Sequence, residues 1–476
     1  AFLADLRRVP SRPHEAIMTF SSPAALQAFA ATIRGSTGLH LIATSRSLQA
    51  VRLAYASLED LAAALNRLPE ETFALSPNPL MSLPLPPPRE EREAFPLVPL
   101  GNRLLEFLGV RDANREWGRG VTVAILDAAV DTDPTFDRNR LQIMDLGIAG
   151  IPSQPSGELG HGTAVAALAV GALPDARGVA PAANLLGIPV IAEDGFGDVF
   201  TVAEGIVRAV DAGAQIINLS LGAPASSPVL QQALDYAFAR DVAIVAAAGN
   251  DQSSQLAWPA ADPRVISVGA VDALGRQVPF SNAGPQLQIT APGYGVQTAW
   301  TDTRRVLFDG TSASAPIVAG AIAAVMSEKP GTTASAAWEI LRTHAAEAGP
   351  AGPDPAYGNG IIDLGWALHH DDPTRSDPAI ASLLPDIANN TLTVVIQNRS
   401  AIPLTGADIE ISAISSGRRL PLEPVPPGAT VSIAVPMTSV PGRQMPPTLE
   451  ASLHLPPGLQ DAVPANNHRQ LLLPDP

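Results

Sequence analysis

Between residues 98 and 369 the chain repeats one pattern: a short apolar run that stops at Gly, Asp or Asn, then a helical stretch. The runs are Val121 to Leu126, Leu185 to Ile191, Ile216 to Leu221, Ala243 to Ala248 and Val265 to Val268. Strands that are apolar along their length are covered on both faces, and intervening helices supply the crossovers that parallel neighbours need. The pattern therefore predicts a parallel sheet with helices on both faces. In such sheets chemistry gathers beyond the carboxyl ends of the strands.

Two breaks separate this segment from its flanks. Leu83 to Pro96 holds Leu-Pro-Leu-Pro-Pro-Pro followed by Arg-Glu-Glu-Arg-Glu, and reads as an extended, solvated connector over 83–97. The second break is His369 to Asp377. Before the first, residues 1–82 predict strands at Glu15 to Phe20, His40 to Thr44, Ala50 to Ala54 and Phe73 to Leu75. Helices are predicted from Ser22-Pro23 to Ile33 and from Leu58 to Leu68. That β-α-β-β-α-β order is the ferredoxin-like α+β arrangement. After the second break, residues 378–476 alternate like half-buried strands at Thr391 to Gln397, Asp408 to Ser412, Thr430 to Pro436 and Thr448 to Leu455. Pro- and Gly-rich turns separate them, which predicts an all-β sandwich.

Composition narrows the chemistry. Lys and Arg number 30 against 46 Asp and Glu, a net charge of −16 that repels a polyanion and argues against nucleic acid as a partner. Cysteine is absent, so thiol catalysis, Cys-zinc sites and disulfide scaffolds are excluded together. No apolar run reaches the ~18 residues of a membrane span, and the opening residues do not read as a secretion signal.

Three residues then stand out. Asp127 closes the run Val123-Ala124-Ile125-Leu126, His161 lies in Gly160-His161-Gly162-Thr163, and Ser312 lies in Gly310-Thr311-Ser312-Ala313-Ser314-Ala315-Pro316 at the start of the most apolar helix. Taken singly they read as a solvated carboxylate, a structural histidine and a helix N-cap. Taken together they supply a hydroxyl nucleophile, a base to take its proton and a carboxylate to fix the base, in one of the known triad orders. Asn250, after the run Ala246-Ala247-Ala248-Gly249, is placed to donate to an oxyanion.

These blocks resemble those of the subtilisin-like serine proteases, the subtilases, in order over most of residues 100–369. Further blocks are Gly178-Val179-Ala180-Pro181, Ile217-Asn218-Leu219-Ser220-Leu221-Gly222 and Tyr357-Gly358-Asn359-Gly360. The resemblance implies that Ser312 attacks the scissile carbonyl, His161 carries the proton, Asp127 orients His161, and Asn250 holds the oxyanion. It further implies that a protein or peptide substrate lies as a strand beside Ser220, Leu221 and Gly222, with Ala248, Gly249 and Asp251 around the residue before the cut. Asp251 there disfavours acidic substrate residues; as a plain loop carboxylate it does nothing. Several positions depart from the family: Ala128 and Ala129 follow the Asp, Ala167 follows the His block, and Ala313-Ser314 follows the Ser. None removes a reacting group. The loop before Gly178 is too short for the Asn-rich calcium insertion of many relatives. Glu193, Asp194 and Asp198 offer carboxylates, but Gly195-Phe196-Gly197 matches a surface turn, and neither a metal nor another cofactor is expected.

In this family a β-α-β-β-α-β segment before the protease is an intramolecular chaperone and inhibitor, whose tail threads the active site. Here that tail carries Pro84 and Pro86 to Pro88, so cleavage is expected to be slow or displaced toward Arg89 to Phe95. The C-terminal segment resembles bacterial Ig-like adhesion modules, which bind a partner or surface or shield the protease. The expectation is an extracytoplasmic serine endopeptidase restrained by its own prodomain. The alternatives are a catalytically impaired scaffold and an esterase using the same triad.

Overall fold

The computed structural model describes residues 2–33, 36–66, 73–84, 86, 88, 96–110, 115–148, 150–155, 159–411, 419–437 and 448–472. The chain forms two compact units: residues 1–104, 113–282 and 292–338 make the first, and residues 105–112, 283–291 and 339–476 the second.

The first unit opens with α1 (Phe2–Arg8), which periodicity did not predict, and then runs β1 (Ser11–Phe20), α2 (Pro23–Thr32), β2 (Leu39–Ser45), β3 (Ala50–Tyr55), α3 (Leu58–Leu65) and β4 (Phe73–Ser82). Ser22 accepts the Ala25 N–H at 3.2 Å and Pro23 starts α2, so the predicted cap and first-turn proline set this helix end. Helix α3 ends at Leu65, short of the predicted Leu68, which lies outside the described residues. The strands pair antiparallel in the order β2-β3-β1-β4, and Met18, Phe29, Val51 and Leu53 pack between sheet and helices.

The larger part of this unit is built on a parallel sheet. Its strands here are β5 (Thr122–Asp127), β6 (Leu141–Ile143), β7 (Asn184–Pro189), β9 (Ile216–Leu219), β10 (Ala243–Ala247) and β11 (Ile266–Val271). They lie in the order β11-β10-β9-β5-β7-β6, and each neighbouring pair is parallel. Every residue of β9, β10 and β11 is buried, as expected of strands covered on both faces. Helices α4 (His161–Val170) and α7 (Thr311–Glu328) pack on each other, as do α5 (Val199–Asp211) and α6 (Pro228–Phe238).

One strand departs from the sequence reading. Gly195-Phe196-Gly197 is expected as a surface turn, yet Phe196–Asp198 forms β8 and pairs antiparallel with Leu80, Met81 and Ser82 of β4. Short and with Gly in its middle, it has no local strand signature; it exists because β4 presents an edge to it.

The second unit contains two antiparallel sheets. Pro378–Asp386, Thr391–Asn398 and Thr430–Pro436 form one; Arg419–Pro421, Asp408–Ile411, Thr448–His454 and His468–Leu472 form the other. Both contribute to a single core that includes Leu392, Val394, Ile396, Ile409, Ile411 and Leu449. Ser412, predicted to end a strand, lies outside the described residues.

Candidate active site

The predicted residues converge at the carboxyl ends of the central strands. Asp127 is the last residue of β5, Ser220 follows β9, Ala248-Gly249-Asn250 follows β10, His161 begins α4 and Ser312 lies in the first turn of α7.

Asp127 is fully buried, and its Oδ1 lies 2.7 Å from His161 Nδ1. A buried carboxylate accepts, so Nδ1 carries the proton and Nε2 is left as the free base. The same Oδ1 accepts the Ala128 N–H at 2.7 Å, while Oδ2 is buried without a partner among the described residues. That is the visible consequence of Ala128: no side-chain hydroxyl follows the carboxylate. His161 is brought close to β5 by Gly162, where a Cβ would stand 2.0 Å from Ala128 O. On its other side the imidazole meets the ring of Phe308 edge-on at 5.2 Å, and Phe308 in turn meets Trp300. Sequence reading missed both aromatics, because nothing local marks a hairpin that folds back onto the histidine.

Helix α7 begins after Gly310, whose φ of 115° lies in the region that favours glycine and where a Cβ would meet Asn250 Nδ2 at 2.7 Å. Inside the helix, Pro316 has no N–H to give to Ser312 O four residues earlier. A buried carbonyl requires a donor. Ser220 Oγ supplies it at 3.2 Å and is itself held by Asn218 Nδ2 at 3.0 Å. The Ser312 hydroxyl donates to Ser220 O at 3.5 Å.

Asn250 is oriented by Thr311, whose N–H and Oγ1 both reach Asn250 Oδ1, at 2.9 and 3.0 Å. An amide N–H can only donate, so the atom facing it is the carbonyl oxygen and the Nδ2 group points the other way. There Nδ2 donates to Pro84 O. Two residues earlier, Ser82 N–H donates to Gly222 O and Gly222 N–H donates to Ser82 O, each at 2.9 Å. Residues 82–84 thus lie as a strand along Gly222 with a main-chain carbonyl at the amide of Asn250. Asp251 is exposed, and its N–H donates to Asn282 Oδ1 at 2.8 Å; Asn282 Nδ2 also donates to Ala248 O at 3.2 Å.

The profile of the Subtilase family matches residues 118–360, about half the chain. Subtilisin BL of Lederbergia lenta is 35% identical over 255 residues, 52% of this chain and 90% of the relative. The chain belongs to the subtilase family. A thermostable alkaline protease of Halalkalibacterium halodurans is also 35% identical, over 57% of this chain and 73% of the relative. Among solved structures, fervidolysin from Fervidobacterium pennivorans, a keratinolytic enzyme related to subtilisin, superposes with a TM-score of 0.63 at 20% identity, covering 97% of this chain and 76% of that one. It shares the fold.

This subtilase is accordingly a subtilisin-like serine protease. Of the carboxylates weighed as a cation loop, Asp198 is engaged elsewhere. Its Oδ1 caps α5 through Thr201 N–H at 2.9 Å, and its Oδ2 lies 3.0 Å from Arg52. Asp194 accepts the Phe196 N–H at 3.0 Å. No helix among the described residues is long and apolar enough to cross a membrane.

Proposed function

We propose that this subtilase cuts peptide bonds through an acyl-enzyme intermediate and is restrained by its own residues 1–82. Ser312 attacks the carbonyl, His161 Nε2 takes the proton and returns it to the leaving amine, and Asp127 holds the imidazole and its cation. Asn250 Nδ2 and the Ser312 N–H stabilise the oxyanion, a contribution of about 3–4 kcal/mol for such a donor in a subtilisin. Water is the only other reactant, so no cofactor enters. A substrate strand pairs along Ser220 to Gly222, and Ala248, Gly249 and Asp251 border the residue before the cut.

The observation that carries the reading is Asn250 Nδ2 donating to a peptide carbonyl, Pro84 O, beside a buried Asp127–His161 pair. It supports catalysis and restraint together, because the strand occupying the site is the chain's own. A serine-directed phosphonate should label Ser312 and stop hydrolysis of a generic peptide, and Ser312→Ala should be inert. Absence of both labelling and turnover after removal of residues 1–82 would defeat the proposal. It would favour the impaired scaffold, for which the unpartnered Asp127 Oδ2 is the supporting observation.

The domain division follows: 1–82 as inhibitor, 83–97 as connector, 98–369 as protease and 378–476 as a β-module that shields the protease or holds a surface or protein partner. The processing region expected at Arg89 to Phe95 lies outside the described residues. An extracytoplasmic location is part of the proposal.

A further inference from the structure

Val296–Ala299 and Arg305–Phe308 pair antiparallel, and the hairpin they form ends at the histidine of the site. Two aromatics of this hairpin cover the start of α4. Trp300 fills the space beside Gly160, where a Cβ would stand 2.5 Å from the indole. Phe308 meets the His161 ring edge-on, with centroids 5.2 Å apart and planes at 76°. The sequence neighbours of His161, Gly160 and Gly162, bring no side chain to brace it. Among the described residues the imidazole makes a single hydrogen bond, from Nδ1 to Asp127 Oδ1 at 2.7 Å. One such bond fixes one atom and one direction, and leaves the ring able to rock about that line.

We infer that Phe308 is a positioning residue, whose ring stops this rocking and holds the His161 imidazole at the angle proton transfer needs. The inference rests on the proposed protease reading and deepens it. The hairpin can brace the ring because it is tied to the segment that follows Asp127. Arg305 reaches both oxygens of the buried Asp133, at 2.9 and 3.4 Å. The Asp302 N–H donates to Asp131 Oδ2 at 3.1 Å, and Thr298 Oγ1 donates to Ala164 O of α4 at 2.9 Å. Asp127 and Phe308 therefore bear on the imidazole at two points of one frame.

Proton transfer depends steeply on placement: a displacement of about 1 Å costs about 10²-fold in rate. The histidine acts twice, first on the Ser312 hydroxyl and then on the water that hydrolyses the acyl-enzyme. An imidazole left to rock loses rate in both steps. A ring that only touched the departing half of the substrate would matter in the first step alone. That difference separates the two roles Phe308 could play.

The test uses the full chain and a peptide methyl ester, with hydrolysis of the acyl-enzyme followed in a single turnover. This first-order rate does not depend on how much enzyme is free of its N-terminal segment. In Phe308→Ala it should fall about 10- to 100-fold, although the alcohol has already left. Against a generic peptide, kcat should fall with KM near the wild-type value. Phe308→Tyr, which keeps the ring, should restore both. The Nδ1 proton shared with Asp127 is followed as a low-field resonance in proton NMR, and Phe308→Ala should broaden or abolish it. Arg305→Gln keeps the imidazole's neighbours but releases the hairpin from Asp133. It should show the same changes in smaller degree, and it decides the matter if Phe308→Ala does not fold. A raised KM at unchanged kcat, acyl-enzyme hydrolysis at the wild-type rate, or an unchanged resonance would each overturn the inference while leaving the protease intact. A wild type that neither turns over nor takes the phosphonate would overturn the protease reading, and the resonance would still decide whether Phe308 holds the histidine.

Discussion

Pro316 shapes the nucleophile without touching a substrate. Its missing N–H leaves Ser312 O to be satisfied from the residue after β9, which ties the first turn of α7 to Ser220. Ser220→Ala should therefore leave a buried carbonyl unpaired, at a cost of about 1–3 kcal/mol. The expected result is a lower Tm with Asn250 still oriented by Thr311, checked by thermal unfolding in the Ser312→Ala background, where no self-cleavage interferes. Asn250→Ala should act differently. It removes the donor to the reacting carbonyl and should lower kcat by about 10²–10³, with a much smaller change in KM, in steady-state peptide hydrolysis. At Gly162 the expected damage is to the Asp127–His161 pair, because a Cβ 2.0 Å from Ala128 O forces α4 away from β5. Gly162→Ala should lose activity beyond what its overpacking cost of about 1–3 kcal/mol in stability accounts for.

At the scale of elements, β4 joins the N-terminal sheet to the protease. A buried ionic cluster lies beside it: Arg52 Nε and Nη2 bind both oxygens of Glu15 at 2.8 and 2.9 Å, Arg52 Nη1 reaches Asp198 at 3.0 Å, and Asn78 Nδ2 donates to Glu15 at 2.8 Å. Burial works against the Arg52 charge, but the Glu15 hydrogen bond and the charges of Asp198 and Glu15 outweigh it and raise the guanidinium's pKa. Removing Arg52 leaves Glu15 with Asn78, and Asp198 with Thr201 and with Arg12 at 3.7 Å, so the loss is partly offset. Arg52→Met should weaken the hold between the N-terminal segment and β8 by less than the ~3–5 kcal/mol of an unpaired buried charge. The weakening should appear as faster loss of the cut segment in size-exclusion chromatography.

The second unit carries the pH-sensitive element. Burial raises the Glu347 carboxyl above the usual range, against hydrogen bonds from Gly352 and Ala348 N–H that favour its ionised form. A raised folded value means that the fold favours the protonated form. The stability it brings is complete below the unfolded value of about 4.3 and is lost as pH rises through the folded one. Wild-type Tm should therefore fall as pH rises from 4 toward 8, and Glu347→Gln should flatten that fall while carrying a constant loss, because one of the two backbone N–H donors then faces an amide nitrogen, followed by calorimetry.

For the whole molecule, what could be read from sequence was whatever is local. Asp127, Asn250 and Ser220 each end an apolar run, so strand ends and site residues were found together; Gly310-Thr311-Ser312 marked the nucleophile by its helix start. What could not be read depends on partners far along the chain. Phe196 to Asp198 becomes a strand only beside β4, Arg52 meets Asp198 across 146 positions of chain, and Phe308 reaches His161 by a hairpin. Periodicity carries no record of such meetings. Thr311 belongs to the Gly310-Thr311-Ser312 motif, but its role in turning Asn250 appears only once both are placed.

The pairing of β4 has a further consequence. Leu80 opposite Asp198 and Ser82 opposite Gly222 fix how many residues of chain extend past the sheet before Asn250 is reached. A slip of one residue would break both pairings and move the buried Asn78 off Glu15, so the count is enforced by the fold of the N-terminal segment. The residue whose carbonyl meets Asn250 is then set by a count along the chain rather than by its side chain. A chain lengthened or shortened between Ser82 and Pro84 would present a different carbonyl to Asn250, at the same distance.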